Sequence, residues 1–129
     1  MKAVLVCAGF GTRLHPLTRD VPKPLLPVAG KPIVEYLVDQ LVATKEMDEI
    51  TVVSNARFAS QFSTWADAVS ERCDIDFDVL DDGAHDNDNR LGAVRDLAFA
   101  VTKKRLEGPT LVAAGDNLFR FSFEALFED

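Results

Sequence analysis

The 129-residue chain has no apolar run approaching the ~20 residues that a membrane-crossing helix needs. That absence excludes an integral membrane protein of the helical kind, and no membrane partner is expected. Cysteine is scarce: Cys7 and Cys73 stand far apart and match no metal or redox spacing. They are expected as reduced, core-type residues of a cytoplasmic protein. Positive charge is also scarce, with 14 Lys and Arg against 21 Asp and Glu and a net charge of −7. No basic face extends along the chain, so nucleic acid is excluded as a general partner. A secretory leader is not expected, because the short apolar start "MKAVLVCAG" runs at once into glycine and arginine.

What is present is unevenly placed. Residues 1–34 carry five Lys and Arg and one acid, a local charge of +4, while residues 35–129 carry nine and twenty, or −11. A small anion held near the N-terminus fits this asymmetry. The length suggests a single domain, 1–129, able to bury a core without disulfide or metal staples.

"AVLVCA" at residues 3–8 is a short continuous apolar run, the pattern of a strand buried on both faces. The stretch "GFGTRLHPLTRDVPKPLLPVAG" then reads as a long loop, with too many prolines for helix or central strand. Pro32 suits a first helical turn, and Ile33, Leu37, Val38, Leu41 and Val42 recur at helical spacing. "EITVVSN" predicts a second buried strand and residues 57–72 a helix. "DIDFDVL" alternates acid with apolar residue, as a half-exposed strand does. A loop "DDGAHDNDNR" precedes a helix "LGAVRDLAFAVTKKRL", then a further buried strand in "TLVAAGDN", and "SFEALFED" resembles a helix start. Alternation of strand and helix predicts an α/β, Rossmann-like three-layer sandwich with a mainly parallel sheet. In such sheets ligands bind beyond the carboxyl ends of the strands. That rule gathers Gly9 to Arg13, the 81–90 loop and Asp116 on one edge.

Glycine permits positive φ and close approach of backbone to a ligand, and successive amides in such a turn form an anion nest. "AGFGTR" supplies such a loop directly after a strand. It lacks the Walker A spacing and the third glycine of the dinucleotide fingerprint. Taken alone, such a glycine pair mostly marks a tight turn; with Arg13 and Lys23 beside it, phosphate site and surface turn balance. Arg13 adds a guanidinium fork and Lys23 a point charge. The prolines flanking Lys23 stiffen its loop, which lowers unfolded-state entropy and would also hold the ammonium in place.

The stretch "GFGTRLHPLT…PKPLLPVAGKPI", followed at the right distance by "VAAGDNLF", resembles the sugar-1-phosphate nucleotidyltransferases. These include glucose-1-phosphate thymidylyl- and uridylyltransferases and mannose-1-phosphate guanylyltransferases. The resemblance implies the nucleotide-diphospho-sugar transferase fold. It implies that Ala8, Gly9, Gly11, Thr12 and Arg13 wrap a nucleoside triphosphate, and that Lys23 contacts phosphate during transfer, with Arg13 and Lys23 as the catalytic cations. Asp116 corresponds to the carboxylate that holds Mg²⁺. The partners implied are an NTP and a sugar 1-phosphate, and a homo-oligomer remains open.

The middle departs from the family pattern. Gly83 and Gly92 fall where neighbours of the base and ribose are expected, but the register there is not unique, so the base cannot be read. The chain stops soon after Asp116, and the second half that would carry the acceptor site is not found, so it looks truncated. Two alternatives therefore stay open: transfer to a non-sugar phosphate such as phosphocholine, or a nucleotide-binding module without catalysis. The aspartates of "DIDFDVL" and "DDGAHDND" could imitate the D-x-D of glycosyltransferases, but a water-facing strand edge and a solvated loop explain them better. Lys103, Lys104 and Arg105 read as a solvated helix end.

Overall fold

A computed structural model describes residues 1–116. Among these, six strands and three longer helices alternate: β1 (Lys2–Val6), β2 (Pro27–Val28), β3 (Lys31–Pro32), α1 (Ile33–Ala43), β4 (Glu49–Ser54), α2 (Ala59–Cys73), β5 (Asp76–Asp81), α3 (Ala93–Lys104) and β6 (Thr110–Ala114). The main sheet has the order β5-β4-β1-β6, and every pairing in it is parallel. The expected α/β, Rossmann-like fold is therefore present. The helix expected in "SFEALFED" lies outside the described residues.

Period-two alternation along β1 divides the core. Ala3, Leu5 and Cys7 pack with Ile50 and Val52 of β4 against Val34, Leu37, Val38 and Leu41 of α1 and Phe62 and Val69 of α2. Val4 and Ala8 pack with Val53 and Leu80 against Ala100 of α3. The two clusters lie on opposite faces of one sheet, which makes the three layers. A parallel strand covered on both faces favours apolar side chains, hence the unbroken apolar run of β1. Burial of each large aliphatic here contributes about 1.5–3 kcal/mol.

Three readings of the sequence need correction. The strand expected to be buried in "TLVAAGDN" is β6 at the edge of the described sheet, where Val112 is 46% exposed among the described residues. The proline-rich loop does hold strand: Pro27 and Val28 pair antiparallel with Pro32 and Lys31 around Ala29 (φ 53°) and Gly30 (φ 82°). Two successive positive φ values make the tight turn that suits a twisted hairpin, and a two-residue strand tolerates proline. Tyr36 Oη donates to Val28 O, and Lys31 pairs with Asp39, so the hairpin is tied down onto α1. Lys104 is not a solvated helix end. Its ammonium lies 2.8 Å from Asp78 and 3.2 Å from Glu49, fastening α3 to the edges of β5 and β4. Arg105 then closes the helix in the left-handed conformation, φ 52°.

Candidate functional site

Strand order reverses at β1: the chain proceeds to β4 and β5 on one side and returns to β6 on the other. At such a switch point the crossovers diverge and leave a crevice beyond the strand ends. A cavity of about 350 Å³ lies there, lined by Val6 and Ala8 at the end of β1, Lys23 and Pro24, Arg90 and Gly92 before α3, Asp96 in its first turn, and Asp116 after β6. A more open lobe of about 480 Å³ shares Gly9, Gly11, Lys23, Arg90 and Asp116 with it and adds Thr12 and Arg13.

The glycine loop is held from beneath. Gly11 has φ 63°, and a Cβ there would meet the Thr18 side chain at 3.0 Å, so glycine is needed on both counts. Buried Thr18 donates its hydroxyl to Gly11 O. Asn55, fully buried at the end of β4, donates to Ala8 O (3.0 Å) and Gly9 O (3.4 Å) and accepts from the Phe58 amide (3.0 Å). Gln61 donates to Asp20 O (2.8 Å), and Arg57 donates to Arg19 O. α2 and its approach thus brace the outer loop. Gly9 differs: a Cβ on it would meet nothing within 4 Å. Its lack of a side chain keeps the lobes open rather than satisfying internal packing. Gly115 lies at the opposite extreme, since a Cβ there would sit 2.2 Å from Cys7 Sγ. Burial and the nearby Asp116 carboxylate push the Cys7 thiol far up, so it stays protonated and inert.

Lys23 lies in a one-turn 3₁₀ segment, Lys23–Leu25, with buried Pro24 beside it. Its ammonium lies 3.1 Å from the Asp116 carboxylate. Arg13 is exposed and has no ion pair among the described residues. Arg90 donates to Asn87 O at 2.6 Å. Three cations thus border lobes whose shared carboxylate is Asp116, a field suited to a polyanion. No three His, Cys, Asp or Glu side chains are grouped for a metal among the described residues. A Mg²⁺ ion needs only one or two carboxylates where phosphates and water complete its shell, so Asp116 fits such an ion.

Asp96 is the unusual member of the lining. It is 3% exposed, and its Oδ1 has no hydrogen-bond partner among the described residues. Burial, and then the hydrogen-bonded carboxylate of Asp82, push it up to about 8. Asp82 itself accepts from the Ala84 amide at 2.9 Å.

Of the residues singled out in the sequence, Ala8, Gly9, Gly11, Lys23, Gly92 and Asp116 border the deeper lobe. Thr12 and Arg13 border the open one. Gly83 is not among the residues lining either; its amide donates to Asp81 Oδ1 at 2.8 Å in the turn after β5. Sequence reasoning did not single out Arg90, Asp96 or Asn55. Arg90 was within reach, as the one cation of a loop that the strand-end rule already places at the site. Asp96 sits in a helical pattern and Asn55 at a strand end, and neither position announces its burial.

The nucleotidyl transferase family profile matches residues 2–129. The chain belongs to the nucleotidyl transferase family. Among sequences similar to this nucleotidyl transferase chain is the bifunctional protein GlmU of Methanococcus maripaludis, 54% identical over 41 residues, covering 32% of this chain and 10% of that protein. The UTP–glucose-1-phosphate uridylyltransferase of Mycoplasma pneumoniae is 36% identical over 76 residues, covering 59% and 23%. Among solved structures, a Bacillus anthracis protein assigned as a glucose-1-phosphate thymidylyltransferase superposes with a TM-score of 0.82 at 21% identity, covering 98% of this chain and 48% of that one. The Streptococcus pneumoniae CTP:phosphocholine cytidylyltransferase LicC has a TM-score of 0.67 at 27% identity, covering 94% and 47%. The nucleotidyl transferase chain therefore spans about half the length of these solved structures and aligns with a smaller share of the two sequence relatives.

Proposed function

We propose that residues 1–129 form one nucleotide-binding domain of a Mg²⁺-dependent nucleotidyltransferase that joins an NTP to a sugar 1-phosphate. In this reading a phosphate oxygen of the acceptor attacks the α-phosphorus of the NTP. The bond from that phosphorus to the β-phosphate's bridging oxygen breaks, and pyrophosphate leaves with its electron pair. No covalent enzyme intermediate and no general base are needed. Two anions must be brought together, so positioning and charge neutralisation carry the catalysis.

Lys23 and Arg13 neutralise phosphate charge, and the loop Ala8–Arg13 cradles the triphosphate, with Gly9 open to close approach. Arg90 adds a third cation at the same mouth. Asp116 holds Mg²⁺, which supplies further neutralisation and alignment of phosphate oxygens when bound. Gly92 is proposed as a neighbour of the ribose or base, and Gly83 only as part of the turn that positions Asp82. The observation that carries the reading is the meeting of a glycine loop, Lys23, Arg13 and Asp116 around one two-lobed cavity at the switch point. Two unpaired thiols, Cys7 and Cys73, suit the cytoplasm, where NTPs are available.

The deciding experiment measures pyrophosphate release by the chain from each NTP with Mg²⁺, with and without glucose 1-phosphate. Release that depends on the sugar phosphate supports the reading; triphosphate binding without release leaves a binding module. The likeness to LicC favours a second acceptor class, a non-sugar phosphate such as phosphocholine, tested in the same assay.

A further inference from the structure

The glycine loop spends its carbonyls on the protein and keeps its amides free. β1 and β4 run parallel with Val6 level with Val53, so Asn55 follows β4 at the height where Ala8 follows β1. Asn55 is fully buried and is not among the residues lining either lobe. Its Nδ2 donates to Ala8 O at 3.0 Å and, at a longer 3.4 Å, to Gly9 O. Its Oδ1 accepts the Phe58 amide at 3.0 Å. The Phe58 bond fixes the orientation of the side chain, because an N–H requires an oxygen and the NH₂ end is thereby turned to the loop.

The carbonyl and the amide of a trans peptide point in opposite directions. The peptide that carries Ala8 O also carries the Gly9 N–H, and the next one carries Gly9 O and the Phe10 N–H. With both oxygens drawn to a buried side chain, both N–H groups point away from it. Neither amide donates to another group among the described residues. The Phe10 ring is drawn inward as well, 6.5 Å from the Phe58 ring in the core. Gly9 and Phe10 nevertheless both border the open lobe, and a Cβ on Gly9 would meet nothing within 4 Å. Backbone N–H groups need acceptors, and two successive ones aimed the same way suit an anion that comes from outside the chain.

We propose that Asn55 is a positioning residue of the triphosphate site: by holding the Ala8 and Gly9 carbonyls beneath the loop, it presents the Gly9 and Phe10 amides to a phosphate. This rests on the nucleotide reading given above and names what orients two of its donors. Asparagine suits the task because one side chain donates twice through its nitrogen and accepts through its oxygen. Asn55 touches no ligand itself and acts through the two peptides.

The test follows those two amides. Inorganic tripolyphosphate is titrated with Mg²⁺ into the chain, with affinity read by calorimetry and the amide signals of Gly9 and Phe10 by assigned ¹H–¹⁵N spectra. ATP, CTP, GTP, UTP and dTTP are titrated in parallel. In the wild type both amide protons are expected to move downfield as they take a charged acceptor. Asn55→Ala frees the carbonyls, so a loss of about tenfold in tripolyphosphate affinity is expected, with neither amide moving downfield at saturation. Gln61→Ala is the control for general loosening, since it releases only the Asp20 carbonyl at the outer end of the same loop. It is expected to keep both amide movements and an affinity close to wild type.

Wild-type binding of tripolyphosphate without movement of the Gly9 and Phe10 amides overturns the inference. So does a folded Asn55→Ala that binds as tightly as wild type, or a Gln61→Ala that loses as much affinity as Asn55→Ala. If Asn55→Ala does not fold, the wild-type titration decides: downfield movement of the two amides supports the inference and its absence overturns it. A wild-type chain that binds none of the five NTPs and no tripolyphosphate refutes the nucleotide reading, and this inference with it, an outcome distinct from binding that bypasses the two amides.

Discussion

Lys23 Nζ stands 3.1 Å from Asp116 Oδ2, joining the proline-stiffened loop after β1 to the end of β6 across the mouth of the cavity. The two side chains are 40% and 37% exposed, so the pair contributes at most about 1 kcal/mol to stability. Its importance is positional. Each partner is the ligand the other would exchange for phosphate or for Mg²⁺, and the exchange costs little because the pair is weak.

Lys23→Ala is therefore expected to leave thermal stability nearly unchanged and to lower nucleotidyl transfer or triphosphate affinity by about 100-fold. Lys31→Ala makes the informative comparison. Lys31 pairs with Asp39 and lies over the Tyr36 ring, so its loss loosens the β2–β3 hairpin from α1 and lowers melting temperature instead. Equal effects of the two variants on triphosphate binding would remove the special role of Lys23.

Asp116→Asn tests the metal assignment. Asparagine keeps the size and removes the charge, so the dependence of NTP binding on Mg²⁺ concentration is expected to weaken while melting temperature holds. An unchanged Mg²⁺ titration would make Asp116 only a partner for Lys23.

Gly9→Val separates a ligand surface from a packing surface. Nothing lies within 4 Å of the added Cβ, so stability is expected to change by less than about 0.5 kcal/mol. The valine would project into the open lobe and lower triphosphate affinity more than tenfold, as measured by calorimetry beside a thermal melt.

Gly115→Ala acts on the fold. Its Cβ would meet Cys7 Sγ at 2.2 Å in a buried position, and relief requires movement of β1 or β6. A loss of about 1–3 kcal/mol is expected in denaturant unfolding. The double variant Cys7→Ala/Gly115→Ala removes the sulfur and should recover most of it.

Asp96 also makes stability depend on pH. Its ordinary value of 3.8 is raised to about 8 in the folded chain, by burial first and then by Asp82. The folded state therefore holds its proton more tightly than the unfolded state. The resulting stabilisation is full below about 4, declines as pH rises toward about 8, and is gone above it. Asp96→Asn removes this titration, so the variant should gain melting temperature relative to wild type as pH is raised from about 5 to about 9, with the gain levelling off at the top. A constant difference across that range would mean Asp96 is already ionised when folded.

Much of the architecture was legible in the sequence. The unbroken apolar stretches around Val4 and Val52 mark strands covered on both faces, whereas the similar stretch around Leu111 forms β6, whose Val112 is 46% exposed among the described residues. The spacing of Val34, Leu37, Val38 and Leu41 demands a helix with one buried face. Local chemistry also pointed to Gly11, because a tight turn directly after a strand calls for a residue that tolerates positive φ.

Tertiary structure alone decided which polar residues meet. The Lys23–Asp116 contact and the Asp82–Asp96 pair each join separate elements, and neither contact follows from local periodicity. The same holds for Asn55, whose amide holds two carbonyls of a loop on a different strand, and for Lys104, which a helical pattern shows only as a charged end. Apolar periodicity records which face of an element avoids water. It does not record which neighbour that face will find, and a carboxyl group's charge depends on the neighbour.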